Sequence, residues 1–273
     1  MIRAWRALAI TVALLAALIP FAVLFLNGFR PADEFLSSDS GLLPTHLTLE
    51  HYAVVFGSGS DAWRYLGNSL TVTVTSTAIA LTIGCLAAYA LARIRLPFRL
   101  SRAVALLFLL VRFYPKISIA LPYFVLMRRL GLLDTRTAVI VAHVSLTLPF
   151  VVWLMLAFFE EFPRELEQSA MIDGCGVLKR FTAIVLPLSL PAIATAGILT
   201  ALLSWNEFLM ASAVAQVHAK TLPVRIASFI TDKGILWGDM SAMGTVIVLP
   251  VVVFALLTQR YLVRGLTSGA VKG

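Results

Sequence analysis

Long apolar runs alternate with short polar ones along this chain, and the run lengths decide its class. Six apolar segments cover about residues 7–29, 66–92, 103–127, 138–159, 188–214 and 240–258. Each reaches the ~20 residues that a helix rising about 1.5 Å per residue needs to cross roughly 30 Å of hydrocarbon. Thr71-Val72-Thr73-Val74-Thr75 alternates with period two, as a strand would. An open strand in lipid leaves its backbone unsatisfied, so the segment is read as helix. The first run follows Arg3 and Arg6 as a signal peptide might, but it is too long and has no small-residue cleavage site. It too is read as a span. The pattern predicts an all-α polytopic membrane protein with six transmembrane helices, a single transmembrane domain over residues 1–273.

Composition agrees. The chain is 60% hydrophobic and 13% charged, whereas soluble domains sit near roughly half and a quarter. The net charge of +8 would suit nucleic acid, but the basic residues flank the spans, where they set membrane orientation. That placement makes the lipid bilayer, and not nucleic acid, the expected partner. Arg93, Arg95, Arg99 and Arg102 lie between the second and third runs with no acid among them, which predicts a cytoplasmic loop. Asp33, Glu34, Asp39, Glu50 and Asp61 put the segment from Arg30 to Arg64 outside. Alternation then places both termini and the loop over residues 160–187 in the cytoplasm. Arg128, Arg129 and Arg136 fall in an outside loop and count against this orientation, but the other loops outvote them.

Enzyme chemistry is not expected. The sequence has no P-loop, no nucleophile elbow and no cluster of metal ligands. Cys85 and Cys175 fall in a span and in a cytoplasmic loop, which predicts neither a disulfide nor a metal site. The four histidines are scattered, and His143 in the fourth run is expected to be packed or hydrogen-bonded. If ATP is used, a partner must supply its site.

The loop over residues 160–187 has its own logic. Pro163 can open a helix, and Glu165 and Glu167 favour the positive end of its dipole. Gly174 can end that helix in the left-handed conformation, and Pro187 blocks continuation of the next. The register is Gln168-Ser169-Ala170, three residues, Gly174, nine residues, Ile184, one residue, Leu186-Pro187. It resembles the Glu-Ala-Ala…Gly…Ile-x-Leu-Pro coupling loop of ABC-importer permeases. Gln168 stands where that motif has Glu, with Glu167 immediately before it, and Ser169 replaces the first Ala.

The resemblance extends along the chain. Asn68-Ser69-Leu70, Trp205-Asn206-Glu207-Phe208 and Leu236-Trp237-Gly238-Asp239 are similar to the carbohydrate-type permeases. The tail from Gln259 to Gly273 resembles the second permease of maltose-type transporters. The resemblance implies a type I ABC-importer permease fold in a bacterial-type inner membrane. It implies a heterodimer with a second permease, two ATP-binding subunits and an extracytoplasmic solute-binding protein. It also implies import of a sugar or sugar derivative, with no cofactor on this chain and ATP and Mg at the ATPase subunits. Its coupling candidates are Glu165, Glu167, Gln168, Ser169, Ala170, Asp173, Gly174, Leu186 and Pro187, and it leaves open which acid meets the ATPase. A secondary transporter or channel, or a structural scaffold, would have no use for this loop.

Translocation-pathway candidates are Arg112, Lys116, Asn68, Asn206 and Glu207. Arg112 and Lys116 lie near the middle of the third run, one helical turn apart, and are expected to share a face. Each costs about 2.5–3.5 kcal/mol at a helix centre on insertion scales, so neither should meet lipid. Pro115 and Pro122 predict a kinked helix. Glu207 is a candidate counter-ion, although counting from Leu188 puts it about 28 Å up its span, near the outer face. Two readings stand: the cations satisfy broken backbone or acids of the second permease, or they line a pathway for an anionic sugar derivative.

Overall fold

The computed structural model describes residues 2–36, 41, 43–94 and 100–268. All six apolar runs are helical, and the Thr71–Thr75 stretch lies inside a helix. Three helices cross without interruption: α1 (Ile2–Asn27), α3 (Ala62–Arg93) and α6 (Arg136–Glu161). The third and fifth runs depart from straight rods.

The third run is two helices, α4 (Leu100–Phe113) and α5 (Lys116–Arg129), bent by 94°. Pro115 is the reason. It has no N–H to give a helix, and it drives the preceding Tyr114 out of helical conformation. Pro122 lies inside α5. A kink is therefore too weak a description, and the expectation of a shared helical face for Arg112 and Lys116 fails. One ends α4 and the other begins α5.

After α7 (Arg164–Ile172) and α8 (Val177–Arg180) comes a π-helical turn over Phe181–Val185, then α9 (Leu186–Leu188). Pro187 does not stop this helix where the sequence predicts. In the wide turn the Leu186 N–H reaches the Phe181 carbonyl five residues back, which loosens the ladder just ahead of the proline. The break comes at Ser189, with a 77° bend into α10 (Leu190–Trp205). A second interruption at residues 206–208 separates α10 from α11 (Leu209–Val214). The last long helix, α13 (Trp237–Ser268), contains Gly265. Residues 269–273, with Gly269 and Gly273 of the tail, lie outside the described residues, as do Arg95, Arg99 and Asp39.

The chain packs as two compact units. One comprises Met1–Gly67 with Leu222–Phe254. It contains α1, α2 (Glu50–Phe56), α12 (Leu222–Ala227) and a two-residue hairpin pairing Ile230 with Ile235. Its polar anchor is His51: Nδ1 lies 2.6 Å from Asp239 Oδ1, and Nε2 lies 3.0 Å from the Arg30 carbonyl. Gly238 abuts that ring so closely that any Cβ there would collide with it.

The other unit, Asn68–Thr221 with Ala255–Gly273, holds both candidate sites. Its core joins α3, α6 and α10 through Ala80, Ala88, Tyr89, Val151, Met155, Phe159 and Ala196. Gly84 lets α3 approach α6, since a Cβ there would sit 2.5 Å from Val151 Cγ1.

Candidate functional sites: a helix–glycine–helix loop and a charged cavity

The loop after α6 forms the two short helices that its sequence predicts. Gly174 takes φ +75°. The Gly174 N–H bonds the Met171 carbonyl at 3.0 Å, and the Cys175 N–H bonds the Ala170 carbonyl at 2.9 Å. This is a Schellman closure, which needs a residue tolerant of positive φ. Nothing lies within 4 Å of a Cβ built at Gly174, so backbone conformation alone demands glycine there.

Charge and apolar surface on this loop are sorted by face. Glu165, Gln168, Ser169, Asp173 and Pro187 are exposed, as are Leu166, Met171 and Ile172, the last 88% accessible. Ala170 is buried and Leu186 half-buried against the core. Glu167 points inward and is 3% exposed. Its carboxylate accepts from Tyr89 Oη at 2.6 Å and Arg93 Nε at 2.6 Å, and Arg93 also donates to the Phe162 carbonyl at 3.0 Å. Beneath lies an aromatic cluster in which Tyr89 packs 5.8 Å from Phe159 and 4.8 Å from Phe181. The loop is thus fastened to the end of α3. Tyr89 and Arg93 are one helical turn apart, a spacing visible in the sequence but informative only once Glu167 is seen to turn inward.

The second site gathers residues from five helices. A cavity of about 600 Å³ is lined by Arg112, Lys116, Phe150, Asn206 and Glu207. A second cavity of about 380 Å³ shares Arg112, Lys116, Phe150 and Glu207 and adds His143 and Ser204. Glu207 caps α11 by accepting the Met210 and Ala211 N–H groups, each at 3.1 Å to Oε2. Lys116 Nζ stands 3.8 Å from Glu207 Oε1. Counting along a straight span separated these two by depth. The breaks at Pro115 and at residues 206–208 remove the straight rods on which that count relied.

His143 is 1% exposed. Its Nδ1 lies 2.8 Å from Ser204 Oγ, itself 3.0 Å from Ser76 Oγ, and its Nε2 is 3.6 Å from Glu207 Oε2. Sequence reading missed the grouping of Ser76 and Ser204 with His143 and Phe150, because the two serines lie 128 residues apart and leave no local signal.

Asn68 lies elsewhere. Fully buried, it donates to the His218 and Lys220 carbonyls at 2.7 and 2.9 Å and accepts from Arg136 Nε at 2.7 Å. It braces the 215–221 loop and occupies the Arg136 guanidinium. Asp134 braces the same loop, accepting the N–H groups of Gln216, Val217, His218 and Ala219 at 2.9–3.1 Å. Burial pushes the Asp134 carboxyl up, but these backbone hydrogen bonds outweigh it and hold it below its ordinary value. Among the described residues no group of His, Cys, Asp or Glu has the arrangement of a metal site.

Residues 65–268 match the family described as binding-protein-dependent transport system inner membrane component. The trehalose/maltose transport system permease protein MalG of Thermococcus litoralis is 36% identical, covering 98% of this chain and 97% of its own. The sulfoquinovosyl glycerol transport system permease protein SmoH of Agrobacterium fabrum is 35% identical, covering 98% and 93%. Among solved structures, a chain of a bacterial ABC transporter that imports the acidic polysaccharide alginate superposes with TM-score 0.76 at 22% identity, covering 95% of this chain and 96% of that one.

Proposed function

The chain belongs to the family of binding-protein-dependent transport system inner membrane components and is a multi-pass permease subunit of an ABC sugar importer; from that premise we propose how its two sites divide the work. The loop over residues 160–187 couples transport to ATP hydrolysis in separate ATPase subunits, where ATP and Mg bind. The cavity at Arg112, Lys116, Asn206 and Glu207 belongs to the translocation pathway, half of which this chain forms beside a second permease. An extracytoplasmic solute-binding protein delivers the cargo, and both termini lie in the cytoplasm. The relatives carry trehalose, maltose and sulfoquinovosyl glycerol by name, which supports a small glycoside as cargo. None of them favours a secondary transporter or channel.

The observation that carries the coupling assignment is the sorting of the loop's faces. Leu166, Met171 and Ile172 face outward beside Gln168 and Ser169, an exposed apolar patch of the kind that marks a docking surface. Glu167, fixed to Arg93, makes the loop a rigid extension of α3. Motion imposed on the loop by closure of the ATPase dimer would then reach the spans as a rigid-body displacement. Since Glu167 is internally paired, Glu165, Gln168 and Asp173 remain for polar contact with the ATPase.

The test is uptake and cargo-stimulated ATPase activity of the complete complex in proteoliposomes, with wild type against Gly174→Val. The expected outcome is an assembled complex that hydrolyses ATP while uptake falls severalfold. Wild-type uptake in the variant would remove the coupling role from this loop.

A further inference from the structure

Resting on the permease reading, we propose that the cavity at the α4–α5 break receives an anionic group of the cargo, with Arg112 as its receptor and Lys116 as an exchangeable second cation. The cargo class is a glycoside bearing a sulfonate, sulfate or carboxylate.

The charges around the cavity are unequally satisfied. Glu207 is almost wholly buried, and its carboxylate is already held by the Met210 and Ala211 backbone N–H groups. Lys116 stands off at 3.8 Å with its side chain 52% exposed, too far for a hydrogen bond and free to swing. Among the described residues Arg112 meets no acid. Its guanidinium lies over the Phe150 ring, 4.5 Å from the centroid, and lines both cavities. Two cations against one carboxylate leave a surplus positive charge at the cavity.

His143 supplies an independent sign of an incomplete site. Its Nδ1 is committed to Ser204, while its buried Nε2, 3.6 Å from Glu207 Oε2, has no hydrogen-bond partner, and the residue borders the smaller cavity. Buried polar atoms are rarely left unpaired, and one on a residue that borders a cavity points to a group that enters it and completes the site after a small shift of the ring. A sugar hydroxyl suits Nε2 in either protonation state, because hydroxyls both donate and accept.

The chemistry then selects the ligand. A planar guanidinium offers a two-pronged donor edge that matches sulfonate, sulfate and carboxylate oxygens, which a neutral hydroxyl cannot engage in the same way. Lys116 moving from Glu207 to the anion would leave the Glu207 carboxylate its two backbone donors. A cavity of about 600 Å³ is of a size to hold one or two sugar rings.

The experiment uses the complete complex in nanodiscs, without its solute-binding protein, and three matched probes: glucose, glucuronic acid and glucose 6-sulfate. Equilibrium binding of each is measured for wild type, Arg112→Gln, Arg112→Lys and Lys116→Gln. Wild type should prefer the two anions to glucose by roughly tenfold or more, the value of a charge-assisted pair. Arg112→Gln should abolish that preference, and Arg112→Lys should retain part of it. Lys116→Gln should weaken it by a smaller factor. Equal wild-type binding of the three probes overturns the proposal, as does a preference unchanged in Arg112→Gln. Arg112→Gln that prevents assembly, together with no preference in wild type, assigns Arg112 to the second permease and likewise overturns it. Retention of the ATPase subunits through purification reports on the permease reading separately, so the two can fail independently.

Discussion

Each of the two sites is built around one buried carboxylate, Glu167 in the loop and Glu207 in the cavity, and the two are balanced in opposite ways. Glu167 is held by two side-chain donors at 2.6 Å, one of them charged. Glu207 is held mainly by backbone N–H groups, with Lys116 and His143 waiting at 3.8 and 3.6 Å. Close charge-assisted pairing locks a geometry, whereas a cation at arm's length can change partners. The first arrangement suits a strut that must transmit movement without yielding. The second suits the pathway role proposed for the cavity.

The largest effect should come from breaking the strut. Glu167→Ala leaves Arg93 buried without its carboxylate, which should cost about 3 kcal/mol or more. Thermal unfolding of the purified complex checks this, and adding Arg93→Ala should recover part of the loss. Simple additivity in that double-mutant cycle would mean that the pair is not coupled.

Glu207→Ala should cost less, about 1–2 kcal/mol, chiefly through the lost cap on α11. Lys116 is half-exposed and can rehydrate, so its release adds little. Glu207→Gln keeps an acceptor for the cap and should lie between wild type and Ala in the same unfolding assay. A loss in Glu207→Ala matching that of Glu167→Ala would erase the contrast between the two carboxylates.

Gly174→Val sharpens the contrast from the other side. Nothing obstructs the new side chain, so the cost is conformational, about 1 kcal/mol or slightly above. Stability should drop little while uptake drops much. A large loss of thermal stability would show that the loop is held together by packing at that point.

The smallest effect concerns Asp134, which belongs to neither site. Its carboxyl is held below its ordinary value of 3.8. A group depressed in the folded state stabilises fully above its unfolded pKa, and that contribution disappears as pH falls through the folded value. Hydrogen-exchange protection of Gln216 to Ala219, corrected for intrinsic rates, should be flat above pH 5 and fall only below about 3.8. Asp134→Asn should lower that protection at neutral pH. Protection that already changes near pH 6 would point to a different titrating group.

The loop over residues 160–187 was legible because its information is local. Pro163, Gly174 and the short polar run between them fix a helix start and a left-handed stop by backbone sterics alone, without reference to the rest of the chain. The inward turn of Glu167 was not legible, since its partners Tyr89 and Arg93 lie 78 and 74 residues away. The third run shows the same limit within a single segment. Its prolines announced an irregularity, but a 94° break and a gentle kink begin from the same residues.

The sequence by itself determined the class of this protein: six apolar runs of bilayer length, basic flanks, and a helix–glycine–helix loop in the register of ABC-importer permeases. Hydrophobic burial and local backbone preference suffice for those, because each acts over a few residues. Only the tertiary structure decided which charges meet. Lys116 and Glu207 became neighbours because two broken helices abandoned the straight paths that counting assumes. Arg112 stayed without an acid because no helix carried one to it among the described residues. Ion pairing depends on side-chain positions to within an ångström or two, and such positions are set by packing between segments far apart in sequence.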